Sequence, residues 1–224
     1  MIIRELVRRS VVKPVGRLAM LFTALALTPC IFPRATAQER YNVKPVVEMR
    51  LKQLPGGPLH WRIETFPTLA EAQAAASAFR WNPDTVSYDG SPALAAEVAG
   101  KAWLFTLGPP GGATPGGTRV AEVGPVPVIS APEYLLRVNH GSGPPGSKTP
   151  LHSHPGSEAF YVVAGRLGQK TPDGVHHVDE GMTMNGHEPD VPMEVFNAGS
   201  ADLTASIMFV VDATRPFSVP AKLP

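Results

Sequence analysis

The chain has little cysteine, no large excess of either charge and no long apolar segment, and each shortage excludes a class of protein. One cysteine, Cys30, occurs among 224 residues, so no intrachain disulfide can form. The net charge is +1 without a clustered basic face, which argues against nucleic acid as a partner. The apolar run Leu18–Leu27 is too short to span a bilayer comfortably. We therefore expect no membrane span in the mature chain.

Residues 1–37 have the pattern of an export signal peptide. A basic start precedes the apolar run, and Ala35-Thr36-Ala37 offers a small-x-small cleavage site before Gln38. The pair Arg8-Arg9 resembles a twin-arginine signal, which exports proteins already folded; an ordinary Sec leader and an uncleaved anchor are the alternatives. Cleavage removes Cys30 and changes the net charge to −4, because residues 1–37 hold six of the 20 basic and one of the 19 acidic residues. We expect a periplasmic or secreted protein.

The remaining chain predicts a mainly β fold in two parts. Proline and glycine make up about a fifth of all residues, which is typical of short strands joined by many turns. Residues 38–117 predict an N-terminal α+β extension that ends in a Gly/Pro-rich linker or flap at 108–117. It includes a strand at 60–66, a helix opened by the capping box Thr68-x-x-Glu71, and a second helix from Ser91 to before Gly100. Residues 118–224 predict a β-barrel.

The chemistry is concentrated in one motif of the barrel segment. His152, His154 and Glu158 lie within seven positions, and two imidazoles with a carboxylate are ligands that suit a divalent metal. In an extended strand the even-numbered side chains share a face, so these three would point inward with Phe160 and Val162. Buried histidines without a metal are the alternative, but a buried Glu158 would then lack a cation to offset its charge.

This motif, which runs from Gly146 to Gly165, resembles the first motif of the cupin superfamily, in particular its single-domain members. The resemblance implies a jelly-roll β-barrel and a metal held by two His, one Glu and a third His from a second motif. In the second motif, Gly181 to Asn197, Met193 stands where that His would be, and the turn lacks its Gly.

Three arrangements of ligands are open. The metal could be held by His152, His154 and Glu158 alone, leaving open positions. His187 could be a displaced fourth ligand, or Met193 could ligate, which suits copper better than hard ions. Met193 is otherwise a flexible core residue.

Two functions follow from these arrangements. One is an exported metal-dependent enzyme, oxygenase-like or isomerase-like, that uses Fe, Mn, Zn or Cu on a small organic substrate, with Glu158 as ligand and proton acceptor. The other is a non-catalytic small-molecule-binding or accessory protein with a structural metal or none. The expected partner is a small molecule, and a homodimer is compatible with either function.

Overall fold

The computed structural model describes residues 40–78, 91–127 and 129–224. The predicted export signal lies outside these residues. They form one α-helix and fourteen strands, and the predicted mainly β fold is confirmed. The helix is α1 (Leu69–Ala78). The strands are β1 (Asn42–Leu51), β2 (His60–Phe66), β3 (Ala93–Val98), β4 (Lys101–Gly108), β5 (Thr118–Val123), β6 (Tyr134–Gly143), β7 (His152–Ser153), β8 (Gly156–Ala164), β9 (Arg166–Thr171), β10 (Gly174–Asp179), β11 (Thr183–Asn185), β12 (Glu194–Asn197), β13 (Leu203–Asp212) and β14 (Val219–Pro220).

Two antiparallel sheets form the barrel. The larger has the order β1-β6-β13-β8-β11 and the smaller the order β10-β9-β12. Side chains from both sheets meet in one apolar core, in which Phe160 and Val162 of β8 face Leu167 of β9 and Val195 of β12. This double-sheet arrangement of antiparallel strands is a jelly roll, as the motif predicted.

Successive side chains of β8 point alternately into two separate apolar cores. Phe160 and Val162 point into the barrel, whereas Ala159, Tyr161 and Val163 pack on the opposite side of the sheet. That opposite side is covered by a four-stranded sheet of order β3-β4-β2-β5. The five-stranded sheet is therefore buried on both faces, which accounts for the unbroken apolar run of β13.

The α+β extension contains the predicted helix and one element that the sequence misassigned. The capping box is formed: the Glu71 backbone N–H donates to Thr68 Oγ1 at 3.2 Å, and the Thr68 hydroxyl donates to Glu71 Oε2 at 2.9 Å. The second helix, expected from Ser91, is wrong, because residues 93–98 form strand β3 paired with β4. Pairing with an apolar neighbour outweighs the helix propensity of an alanine-rich segment.

Strand pairing crosses the boundary that the sequence predicted between the extension, which ends at residue 117, and the barrel, which begins at residue 118. Strand β1, from the extension, pairs with β6 in the barrel sheet, and β5 pairs with β2 in the four-stranded sheet. The Gly/Pro-rich segment 108–117 contacts the second of these sheets. Glu64, fully buried, accepts hydrogen bonds from the Thr114 backbone N–H at 2.7 Å and from its hydroxyl at 2.6 Å. Within the described ranges, no helix is both long and apolar enough to cross a membrane.

Candidate functional site

His152 lies on the short strand β7, and His154 directly follows this strand, before the long strand β8 begins. The backbone of His152 exchanges two hydrogen bonds with Met193, at 3.0 and 2.8 Å, so Met193 lies directly beside it. On its other side, β7 pairs with β14 near the end of the chain. Pro155 and Gly156 follow the motif, and β8 then carries Glu158 inward.

Both imidazoles have a fixed tautomer. His152 Nδ1 lies 2.7 Å from the Pro150 carbonyl oxygen, and His154 Nδ1 lies 2.6 Å from that of Phe217. A carbonyl oxygen can only accept, so each Nδ1 carries the proton and each Nε2 keeps its lone pair. Burial lowers the pKa of both rings, that of His154 to about 4. Both rings are therefore neutral at pH 7, which is the form that binds a metal.

Glu158 is a buried carboxyl group with one side-chain donor. Its side chain is almost fully inaccessible, and this burial raises its pKa to about 8. Gln169 Nε2 donates a hydrogen bond to Glu158 Oε1 at 2.5 Å. This bond lowers the pKa of Glu158, but its effect is smaller than that of burial. Without a cation nearby, the carboxyl group is thus mostly protonated at neutral pH.

Gln169 connects three of the candidate ligands through its side-chain amide, and no pattern in the sequence indicated it. This fully buried residue of β9 contacts Met193 Sδ at 3.4 Å as well as Glu158. Its Oε1 lies 2.9 Å from His187 Nε2. The two candidates for a fourth ligand, Met193 and His187, therefore both contact the amide that holds Glu158.

A cavity of about 550 Å³ opens beside the motif. His152, His154 and Glu158 all line it, and the two imidazole rings lie 4.9 Å apart between centroids. Within the described part of the chain, however, no three His, Cys, Asp or Glu side chains converge closely enough to hold a metal. His187 and Met193 are not among the residues that line the cavity.

The wall of the cavity is largely aromatic and apolar near His154. Its ring lies 4.9 Å from that of Phe209 and 4.7 Å from that of Phe217, and Ile207 and Val195 extend the wall. Phe217 belongs to the segment between β13 and β14, so this segment supplies both a ring and the carbonyl oxygen bound by His154 Nδ1.

The polar side of the cavity contains residues that the sequence did not indicate. Tyr41, Arg137 and Asn139 line it together with Arg40. Burial, and then the nearby Glu158, raise the pKa of Tyr41 well above its usual value, so the phenol is neutral. Apolar alternation in β6 places Leu136 and Val138 on the opposite face, and this could have indicated that Arg137 and Asn139 face inward.

Comparison with known proteins gives only partial likenesses. No protein-family model matches the chain, and no curated protein matches it. A conserved protein of unknown function from Streptococcus pyogenes is 18% identical, with a TM-score of 0.31 over 34% of this chain and 64% of that chain. A polyketide cyclase from Streptomyces resistomycificus is 19% identical, with a TM-score of 0.33 over 40% of this chain and 62% of that chain. A cupin superfamily protein from Desulfitobacterium hafniense is 9% identical, with a TM-score of 0.31 over 34% and 68%.

The chain spans less than two thirds of the first two of these structures. These likenesses carry no argument about activity, and the fold follows from the strand order of the chain itself. Two antiparallel sheets enclose an apolar core, and the His-x-His motif lies at the edge of a cavity between them. The chain has a double-sheet jelly-roll fold.

Proposed function

We propose that this chain is an exported, metal-dependent enzyme that acts on a small organic molecule inside the barrel. The observation that carries the proposal is the pair of neutral imidazoles. Their Nδ1 atoms are satisfied by carbonyl oxygens, and neither Nε2 has a hydrogen-bond partner among the described residues. A hydrogen bond of this kind from the second ring nitrogen is what orients histidines that bind metals.

The donor chemistry fits a divalent cation of the Fe, Mn, Zn or Cu group. His152 and His154 would hold it through Nε2, and Glu158 would be the third ligand. A buried carboxyl group whose pKa is raised by burial gains stability from a nearby cation, which favours its ionised form. Because the three groups do not converge, their side chains would have to rearrange for all three to bind one cation. A bound cation would supply Lewis acidity and open positions for a substrate oxygen.

The chain's own residues supply the remaining parts of the mechanism. Phe209 and Phe217 exclude water from the side of His154, which strengthens electrostatic interactions in the cavity. In the metal-free protein Glu158 has a pKa near 8, so it would release its proton on binding a cation and, as an ionised ligand, could then accept a proton from the substrate. Gln169 orients this carboxyl group through its hydrogen bond to Oε1.

Metal retention is the first test of this proposal. Protein purified from its native compartment should contain one equivalent of metal by elemental analysis, and His154→Ala should lose it. His177→Ala is the matched control, because His177 is exposed on β10 and outside the cavity. Wild-type protein without metal after incubation with each of the four cations would refute the proposal, as would equal loss in the control.

A second candidate function is ligand binding without catalysis. It is favoured by Gln169, which ties Glu158 to Met193 and His187 and so holds the third ligand in a hydrogen-bonded network. An oxygen-uptake and turnover screen on metal-loaded protein, with small phenols and keto acids, separates the two functions. Binding without turnover favours the second.

Export is part of the proposal and has its own test. The mass of the protein recovered from outside the cytoplasm should correspond to a chain that begins at Gln38. A start far from Gln38 would remove the predicted cleavage site, and recovery from the cytoplasm alone would contradict export.

A further inference from the structure

Three polar atoms in the wall of the cavity have no hydrogen-bond partner within the described chain. They are Tyr41 Oη, Asn139 Oδ1 and Arg137 Nε, and each is buried. The exposed fraction is 5% for Tyr41 and 3% for Asn139. Buried polar groups are nearly always hydrogen-bonded, so three that line the same cavity point to a ligand.

The register of the barrel sheet places these atoms opposite the motif. Across the sheet, Glu158 pairs with Phe209, which pairs with Arg137. Adjacent strands are about 4.8 Å apart, so the backbones of Glu158 and Arg137 are separated by roughly 10 Å. Asn139 lies two residues from Arg137 on the same face of β6. A ligand of a few heavy atoms can therefore contact both Arg137 on β6 and the region of Glu158 on β8.

The position of the Tyr41 ring depends on the absence of a side chain at Gly141 in β6. A Cβ atom at Gly141 would lie only 2.8 Å from Cζ of Tyr41, so a side chain there would displace the ring. Glycine thus lets the phenol pack against β6, with its hydroxyl group beside Gly141 and the Tyr41 side chain in the lining of the same cavity.

The charges and donors favour an anionic oxygen group. The lining contains two guanidinium groups, Arg40 and Arg137, and one carboxyl group, Glu158. Glu48, outside the lining, already offsets the charge of Arg137, so Arg137 contributes an N–H donor and Arg40 supplies the positive charge that favours an anion. Arg137 forms an ion pair with Glu48 through Nη2 and lies over the ring of Phe217 at 3.8 Å, and both contacts fix the guanidinium. Its Nε–H has no partner among the described residues. Arg137 and Tyr41 can donate, and Asn139 Oδ1 can accept.

We propose that Arg137 and Tyr41 bind the carboxylate of a small organic acid and that Asn139 accepts a hydrogen bond from a hydroxyl group beside it. The apolar body of the acid packs on Phe209 and Phe217. This assignment rests on the proposed function and deepens it, because it names the class of substrate and orients it toward the motif histidines.

The experiment measures binding of mandelate to metal-free protein by calorimetry, in the presence of a chelator. Mandelate has a carboxylate, an adjacent hydroxyl group and a phenyl ring. Phenylacetate lacks the hydroxyl group and should bind about fivefold to tenfold more weakly, as expected for one lost hydrogen bond. Benzyl alcohol lacks the carboxylate and should bind more weakly than phenylacetate.

Two variants and a matched control test the residues. Tyr41→Phe and Asn139→Leu should each weaken mandelate binding about fivefold to tenfold. Tyr134→Phe should leave it unchanged, because the Tyr134 hydroxyl group bonds to Ile129 and Ala131 and does not line the cavity. Urea unfolding of Tyr41→Phe should match the wild type, since the hydroxyl group has no partner to lose.

Three results would overturn the subsite. The first is that mandelate does not bind at millimolar concentration. The others are that both variants bind mandelate with wild-type affinity, or that Tyr134→Phe loses as much affinity as they do. Metal retention is measured separately with His154→Ala. If the protein retains metal but does not bind mandelate, only the subsite is removed. If it binds mandelate but retains no metal in the elemental analysis, only the metal-dependent function is removed.

Discussion

The buried carboxyl group of Glu158 should make the stability of the metal-free protein fall as pH rises above neutrality. Its pKa is about 8 in the fold against 4.5 for the free side chain. The folded state therefore holds a proton that the unfolded state releases above pH 4.5. The contribution of this proton to the free energy of unfolding is fully present below pH 4.5. It is lost as the pH rises from 4.5 to about 8.

The magnitude follows from the two pKa values together with His154. Each pH unit of separation corresponds to about 1.4 kcal/mol, so Glu158 alone accounts for roughly 5 kcal/mol. His154 acts in the opposite direction, because its pKa is about 4 in the fold and 6.5 when free, so stability rises between these values. The two slopes offset each other from pH 4.5 to 6.5. A net fall of about 2 kcal/mol remains between pH 6.5 and 8.

Urea unfolding between pH 5.5 and 8.5, with a chelator present, measures this fall. Glu158→Gln keeps the size of the side chain and its contact with Gln169, but it removes the titrating group. The variant should show no fall above pH 6.5, and its stability should rise with pH below 6.5 because the lowered pKa values of His154 and His152 are then unopposed.

Two outcomes would refute this reasoning. A wild-type free energy of unfolding that is flat from pH 6.5 to 8 would mean that the carboxyl group is not desolvated as its burial indicates. A variant that falls as steeply as the wild type would place the titrating group elsewhere.

Three further predictions follow from the packing. Phe160→Ala should lower the free energy of unfolding by about 3–5 kcal/mol in a urea titration, because the ring is fully buried in the barrel core; a loss below 1 kcal/mol would contradict this packing. Glu64→Gln should weaken the contacts with Thr114 and speed protease cleavage within residues 108–117, and an unchanged cleavage rate would show that these contacts do not hold the segment. Met193→Leu should retain metal by elemental analysis, since Met193 acts as a core residue; loss of metal would make it a ligand.

The barrel was predictable because its signals are local. Side-chain alternation along β8 predicted that Phe160 and Val162 point inward, as the structure shows. The turn between β9 and β10 and the apolar strand β13 have equally local signals in the sequence. These features depend on side-chain period and turn chemistry, which neighbouring residues determine.

The strand at residues 93–98 was missed because its local pattern is ambiguous. Alanines at 93, 95 and 96 favour a helix, and Pro92 suits a first helical turn. In the structure Leu94 and Val98 face one core while Ala93 and Ala95 face another, a period of two that only the neighbouring sheet makes meaningful.

Much of the cavity wall could not be predicted because it comes from distant parts of the chain. Tyr41, Arg137 and Phe217 reach the cavity through strand register and through the segment before β14. Gln169 has no motif to mark it, since a glutamine on a strand is usually exposed. Its importance appears only when β9 is placed against Glu158 and β12.

The segment that carries Phe217 governs which ring nitrogen of His154 is available. The carbonyl oxygen of Phe217 fixes the proton on Nδ1, and its ring contacts both the imidazole of His154 and the guanidinium of Arg137. If this segment were displaced, the imidazole could exchange its two tautomers and the guanidinium would lose its aromatic support. Changes made only to this stretch of backbone could therefore adjust the cavity without altering any side chain that projects from the barrel strands.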